Sequence, residues 1–318
     1  MKKPIIILVL LLTIQRGVCA EKPQITMSSD KKGTVKIELV GSGTANIDWG
    51  DGLEVETITL SETRLLKTHS YSDNIIRTIT IFGENITGFF CKICELKNLD
   101  VSNNPVLIFL HCGDNPQLKN LDVSKNVELK YLDCFNTGLT YLDVSNNVEL
   151  EHLLCYSNNL THLDVSNNTN LTHLTCSAND IIHLDVSKNI ELQSLNCCSN
   201  KLTYLDVSKN VKLQYVECCS CTLTYLDVSK NPALERLSCE GTLLKRLNVS
   251  KNVNLKDLNC ANSRLSASAL NALFKSLPVN DTSEEKIITI GGNPGTKKCK
   301  ASIAEKKGWT VNYQDDFG

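Results

Sequence analysis

One tetrapeptide constrains this chain more than any other feature. Leu-Asp-Val-Ser begins at Leu99, Leu121, Leu142, Leu163, Leu184, Leu205 and Leu226, and Leu247-Asn248-Val249-Ser250 is an eighth copy; after a first step of 22 residues every step is 21. A unit that short cannot bury its own apolar face, so the units must stack as coils of one solenoid and bury it against each other. A second motif lies between the copies, as in Leu150, Leu153, Cys155, Asn158 and Leu160. Alternate residues of a strand face opposite sides, so Leu153 and Cys155 are expected in the core, with His152, Leu154 and Tyr156 on an outer, concave surface. The half-unit from Leu160 to Asn168 returns along the convex side with Leu163 and Val165 inward. The predicted fold is a mainly β repeat solenoid with a parallel concave sheet, coils about 4.8 Å apart and capped ends.

The second motif fits the pattern L-x-x-L-x-L-x-x-N/C-x-L, with cysteine in the third apolar slot. On these residues, positions 86–263 resemble the short, 21-residue nested leucine-rich repeats of exported bacterial proteins. Nine repeats fit, the first a degenerate copy at Ile86, Phe89, Cys91, Cys94 and Leu96. The resemblance implies a ligand-binding scaffold and leaves the ligand open. Residues 21–85 read as a small β module that caps the first coil, with strand-like runs at 34–40, 55–60 and 75–82. Within it, Asp48-Trp49-Gly50-Asp51-Gly52, His69-Ser70-Tyr71 and Thr78-Ile79-Thr80 resemble the turn and later strand of polycystic-kidney-disease-type β-sandwich domains. The region is shorter than such a domain, which implies missing strands. Residues 264–318 read as an α/β cap: a serine-capped helix over 266–277 ended by Pro278, a strand at 287–290, a second helix over 298–307 and a last strand at 309–313.

The chain has 15 cysteines, which in an exported protein would usually signal a disulfide framework. The repeat register points elsewhere. Cys91, Cys112, Cys134, Cys155, Cys176, Cys197, Cys218, Cys239 and Cys260 share one inward slot, where a thiol behaves as a small buried hydrophobe. A reduced ladder is expected. Cys94 and Cys221 fall at the turn position held elsewhere by Asn115, Asn158, Asn179 and Asn200, and should be structural. Cys198 and Cys219 each follow a ladder cysteine in adjacent coils. Their spacing should slightly exceed the ~3.8 Å between the Cβ atoms of a disulfide, so a strained bridge and two free thiols are both open readings. No His or carboxylate is placed to complete a metal site with Cys221, and no cofactor is expected.

A second asparagine column, Asn126, Asn147, Asn168, Asn189 and Asn210 with Asn104, Asn231 and Asn252, has no exception in the eight copies. It is expected to bond the backbone of the convex turn and its own neighbours. The column Asp100, Asp122, Asp143, Asp164, Asp185, Asp206 and Asp227 sets like charges side by side, a cost that lysines such as Lys125 and Lys188 could offset in part. Calcium bridging is the alternative, although the glycine-rich calcium nonapeptide is absent.

The outward concave positions carry no packing duty and are where a ligand is expected. Phe109, His111, Tyr131, Asp133, Phe135, His152, Tyr156 and His173 cluster in the N-terminal half as the candidate contact surface; later coils offer a more polar set that includes Glu217, Arg236, Glu240 and Asp257. Part of the aromatic patch, beginning at Phe90, could instead pack beneath the preceding module. The chain has no G-x-S-x-G, HExxH or Cys/His signature, so catalysis is not expected. A protein partner held on the concave face is the leading expectation, with a glycan-binding adhesin as the alternative. The net charge of -2 and the lack of a basic run argue against nucleic acid. Lys2-Lys3, the apolar run 4–14 and Val18-Cys19-Ala20 have the three parts of a secretory signal, with cleavage expected after Ala20. Lipid attachment at Cys19 is the alternative, but Arg16-Gly17-Val18 lacks the apolar and small residues that should precede such a cysteine. No later stretch has the ~20 apolar residues of a membrane span. The mature chain is expected to be a monomer, secreted or held at the cell surface.

Overall fold

A computed structural model describes residues 24–280 and 283–314; the expected signal segment 1–20 lies outside them. The repeats form a solenoid whose concave side is one parallel sheet. Its strands are β7 (Ile86–Phe90), β9 (Phe109–His111), β10 (Tyr131–Asp133), β11 (His152–Leu154), β12 (His173–Thr175), β13 (Ser194–Asn196), β14 (Tyr215–Glu217), β15 (Arg236–Ser238) and β16 (Asp257–Asn259). Each pairs in register with the next, so that Tyr131, His152 and His173 stand beside one another, as do Leu132, Leu153 and Leu174. From β9 to β16 the strands are only three residues long, because the ladder cysteine that follows each one already turns inward to the core. Leu150, Leu153, Cys155, Leu160, Leu163 and Val165 of one coil are buried, and the equivalent residues from Ile86 to Leu265 join the same core.

Both asparagine columns work inside this core. Asn158 donates from Nδ2 to the carbonyls of Cys134 and Cys155 at 2.9 and 3.0 Å, and accepts at Oδ1 from the N–H groups of Thr137 and Leu139. One side chain thus ties two coils at a corner where Ser157 has a left-handed φ of 55°. At Cys221 the thiol takes over part of this role, donating to Cys197 O at 3.4 Å, while the Cys94 thiol donates to Lys36 O of the N-terminal module. On the convex side Asn168 Nδ2 donates to Val144 O at 2.9 Å and Asn147 O at 2.8 Å. The side chains of that column bond backbone and not each other; their Oδ1 atoms, from Asn104 to Asn252, have no partner.

The N-terminal module contains β1 (Gln24–Ser29), β2 (Gly33–Gly41), β3 (Thr44–Asp48), β4 (Glu56–Thr59), β5 (Leu65–Tyr71) and β6 (Arg77–Phe82). Three of these match the expected runs; β1, β3 and β5 were not foreseen. Two strands of the first coil join the sheets of the module. β2 pairs antiparallel with β7, so β5 and β2 close the edge of the concave sheet, while β8 (Leu96–Asp100) pairs with β1 in a second sheet ordered β4-β3-β6-β1-β8. The Trp49 turn is locked by Tyr71 Oη donating to Trp49 O at 2.6 Å and by the His69 ring stacked on Trp49 at 5.0 Å. Gly50 is required there: its φ is 75° and a Cβ would lie 2.2 Å from Thr78 O.

At the other end α1 (Ala267–Ser276) is capped by Ser266, whose side chain accepts from Ala269 N–H. β17 (Lys286–Thr289) and β18 (Trp309–Asn312) then extend the parallel sheet beyond β16. The second helix expected over 298–307 is only α2 (Ser302–Glu305). Lys300 N–H bonds Asn271 Oδ1 of α1 at 2.7 Å instead of a carbonyl in its own turn, which keeps the preceding segment out of a helix.

Candidate functional site

The register of the concave sheet puts the candidate residues into columns. Phe109, Tyr131, His152 and His173 occupy the first outward position of β9 to β12. Tyr131 and His152 have ring centroids 5.7 Å apart, and His152 and His173 stack at 4.4 Å with planes 17° apart. Two residues after their strands, Phe135 and Tyr156 lie parallel at 4.7 Å and 4°. Gly113 makes room for this pair, since a Cβ there would lie 2.5 Å from the Phe135 ring. Phe109 is 40% exposed, and the other rings of the strip are half-buried.

The structure separates two of the expected residues from this surface. Asp133 is buried beneath the rings, its Oδ2 3.3 Å from His111 Nδ1. It was expected outward from strand alternation; its carboxylate instead meets the His111 ring and accepts the Phe135 N–H, and it is 4% exposed, so it supports the strip. Burial raises the Asp133 carboxyl pKa and lowers that of His111, so desolvation works against the ionised form of each. Phe90 is also withdrawn: the Arg64 guanidinium of the N-terminal module lies 3.9 Å from its ring centroid. His152 is pushed down by burial and then by its neighbour His173, which favours the uncharged imidazole at neutral pH.

Sequence reasoning missed Arg64, Lys36 and Lys92. With Glu38, Phe90 and His111 they line a cleft of about 360 Å³ where the module meets the first coils. Lys92 sits 4.8 Å from the Phe135 ring centroid and 3.3 Å from Asp114. Arg64 and Lys36 lie outside the repeat and carry no periodic signal; Lys92 follows the first ladder cysteine and was legible as outward. A larger cleft of about 670 Å³ opens between loops of the module around Ser42 and Asn85. No residue of the strip lines it, and Glu84 is the one charged residue in its lining, so it offers no converging chemistry.

The thiol ladder is chemically quiet. All nine ladder cysteines are buried and unbridged, and burial pushes the pKa values of Cys176 and Cys260 up to about 12. Thiols held protonated are poor nucleophiles and poor ligands. Cys198 and Cys219 are free thiols in the structure, and half-buried. Among the described residues no group of three or more His, Cys, Asp or Glu could hold a metal ion. No helix of these residues is long and apolar enough to cross a membrane. The Asp column has a structural use: Oδ1 of Asp164 accepts the Ser166 N–H at 2.9 Å, and the same two-residue turn recurs from Asp100 to Asp227.

No protein-family model matches the sequence, and no curated protein matches it. Solved structures do. The functional domain of InlJ from Listeria monocytogenes, described as including a cysteine ladder, is 32% identical, with a TM-score of 0.62 over 73% of this chain and 54% of that one. The chain thus spans about half the length of that structure. An internalin, inlF of Listeria monocytogenes strain 4b F2365, is 15% identical with a TM-score of 0.49, covering 72% of this chain and 82% of that one. The leucine-rich repeat domain of APL1B is 21% identical with a TM-score of 0.51, covering 63% of this chain and 59% of that one. With the parallel sheet and stacked coils described above, the likenesses to the InlJ and APL1B domains make the chain a leucine-rich-repeat solenoid with turns of about 21 residues.

Proposed function

We propose that the chain is an exported, non-catalytic binding protein that holds a protein partner on the N-terminal half of its concave face. The observation that carries this reading is the column of part-exposed rings at Phe109, Tyr131, His152 and His173, in contact from Tyr131 to His173, with the stacked pair Phe135 and Tyr156 alongside. Rings already held against one another lose little further freedom on contact, and buried aromatic anchors supply most of the affinity of protein interfaces. Arg64 and Lys92 at one end of the strip add charge that would orient an acidic segment of the partner.

The test is capture of ligands from cell-surface extracts by the full mature chain, run beside a glycan array. Changing Tyr131, Phe135 and Tyr156 to Ala should weaken binding of the captured protein at least about tenfold per anchor, roughly 1.4 kcal/mol each. A triple variant that folds and binds as the parent does would sink the concave-site reading. Retention on the array with no protein captured would assign the same strip to a carbohydrate.

A further inference from the structure

The later coils of the concave face carry a thiol pair that the aromatic strip does not use. Cys198 and Cys219 lie just past β13 and β14, each one residue beyond a buried ladder cysteine. Backbone pairing continues there, with Ser199 N–H donating to Cys219 O at 2.8 Å, so the two residues stay in register. Cys219 N–H donates to Cys198 Sγ at 3.0 Å, and the Cys219 thiol meets Ser238 Oγ at 3.0 Å. Both thiols are partly open to solvent, unlike the ladder. A thiol–thiol hydrogen bond with Cys198 brings the Cys219 thiol down to about 7 against the opposing effect of burial; Ser238 assists, and Glu217 and Glu240 oppose. The bond between the two thiols, together with burial, raises Cys198, whereas the Cys219 backbone N–H lowers it in part. A thiol that ionises near neutral pH beside one that keeps its proton is the arrangement suited to attack on a disulfide followed by resolution.

We propose that Cys198 and Cys219 form a dithiol exchange site for disulfide-bearing substrates, with Cys219 the attacking group and Cys198 the resolving one. The Cys219 thiolate attacks one sulfur of R–S–S–R; the new S–S bond forms as the old one breaks, and RS⁻ leaves and takes a proton from water. Cys198 then loses its proton to water and attacks Cys219 Sγ, expelling the second RS⁻. Two protein thiols become one disulfide, and the substrate is reduced to two thiols. Adjacent strands hold such residues about 4.8 Å apart, wider than the ~3.8 Å that Cβ atoms of a disulfide prefer, so the bridge is strained and readily reduced. Exchange is therefore reversible, and the pair is not a structural staple. Glu217 and Glu240 beside the pair favour a cationic substrate such as cystamine.

The experiment treats the folded, fully reduced chain with cystamine at neutral pH and follows intact mass and crosslinked peptides. The expected product is a Cys198–Cys219 peptide, with loss of two hydrogens and release of two cysteamines per chain, at a rate that rises with pH around 7. Cys219→Ser should leave the site unmodified, and Cys198→Ser should stop at a cysteamine adduct on Cys219. Cys299→Ser, which removes the other half-buried thiol, should change nothing. The proposal is overturned by a stable adduct in the parent chain, by bridging that is lost in Cys299→Ser, or by reaction spread over the ladder cysteines. It is equally overturned if Cys219→Ser, verified as folded by circular dichroism, consumes cystamine as fast as the parent.

Discussion

At the scale of single residues the deepest dependence of this fold is on side-chain amides. Asn168 is wholly buried and donates to Val144 O and Asn147 O, each of which also accepts one backbone N–H within its own coil, so the amide supplies the second bond of each carbonyl and the link between the two coils. Asn168→Ala removes two buried bonds between coils and leaves a small void where the amide lay, which should cost about 1–3 kcal/mol although each carbonyl keeps its backbone donor. Its neighbour Asn167 is exposed and bonds Ser145 O at 3.1 Å, where water can replace it; Asn167→Ala should shift stability by less than about 0.5 kcal/mol. Urea unfolding of the two variants checks the contrast, and equal midpoints would remove the asparagine column from the account of stability. The column itself was legible in the sequence, because a residue that never varies across eight copies must meet a demand made by every coil. The burial of Asp133 was not. Strand alternation gives the direction of a Cβ, but which long side chain then folds over which short one depends on ring contacts between coils that the pattern does not encode.

At the scale of the element, the unit of this structure is a coil with one left-handed corner, occupied in turn by Asp114, Asn136, Ser157, Ala178, Ser199 and Ser220 with φ between 49° and 55°. Most of these side chains can bond locally and tolerate the conformation; Ala178 cannot. Ala178→Gly should therefore stabilise the chain by about 0.5–1 kcal/mol, the relief of left-handed strain exceeding the added freedom of the unfolded glycine. A lowered urea midpoint would mean that the corner imposes no such strain. Coil boundaries were readable because the 21-residue rhythm repeats them, and the Ser266 cap because it precedes an amphipathic run. The N-terminal module was readable only in part. β1 and β5 have the alternation of strands, but their partners β8 and β2 lie far along the chain, and β7 serves as the last strand of one unit and the first of the next. A local pattern cannot announce a strand that two units share.

At the scale of the whole molecule, the terms that repeat in every coil set how the solenoid responds to its surroundings, since its stability is close to a sum over coils and their interfaces. The Asp column is such a term. In Asp122, Asp164, Asp185 and Asp227 the backbone N–H of the serine two residues on is the main cause that holds the carboxyl below its ordinary range; in Asp143 the serine hydroxyl is. A carboxylate whose pKa is depressed in the folded state stabilises it fully above the unfolded value of about 3.9 and loses that contribution as pH falls through the folded value. Each group is exposed and contributes little alone. Together they should make stability fall with pH below about 4, and the fall should be gradual because several coils titrate. The eighth copy supplies the control: Asn248 accepts the Ser250 N–H at 2.9 Å with no charge to titrate. Replacing Asp122, Asp143, Asp164, Asp185 and Asp227 by Asn should keep the turns, lower neutral-pH stability slightly because the charge-assisted part of each turn bond is lost, and flatten the acid limb. Urea midpoints measured from pH 7 to pH 3 in the parent and the five-site variant decide it: parallel curves would show that the column takes no part in acid sensitivity, whereas convergence at low pH is what turn-capping carboxylates require.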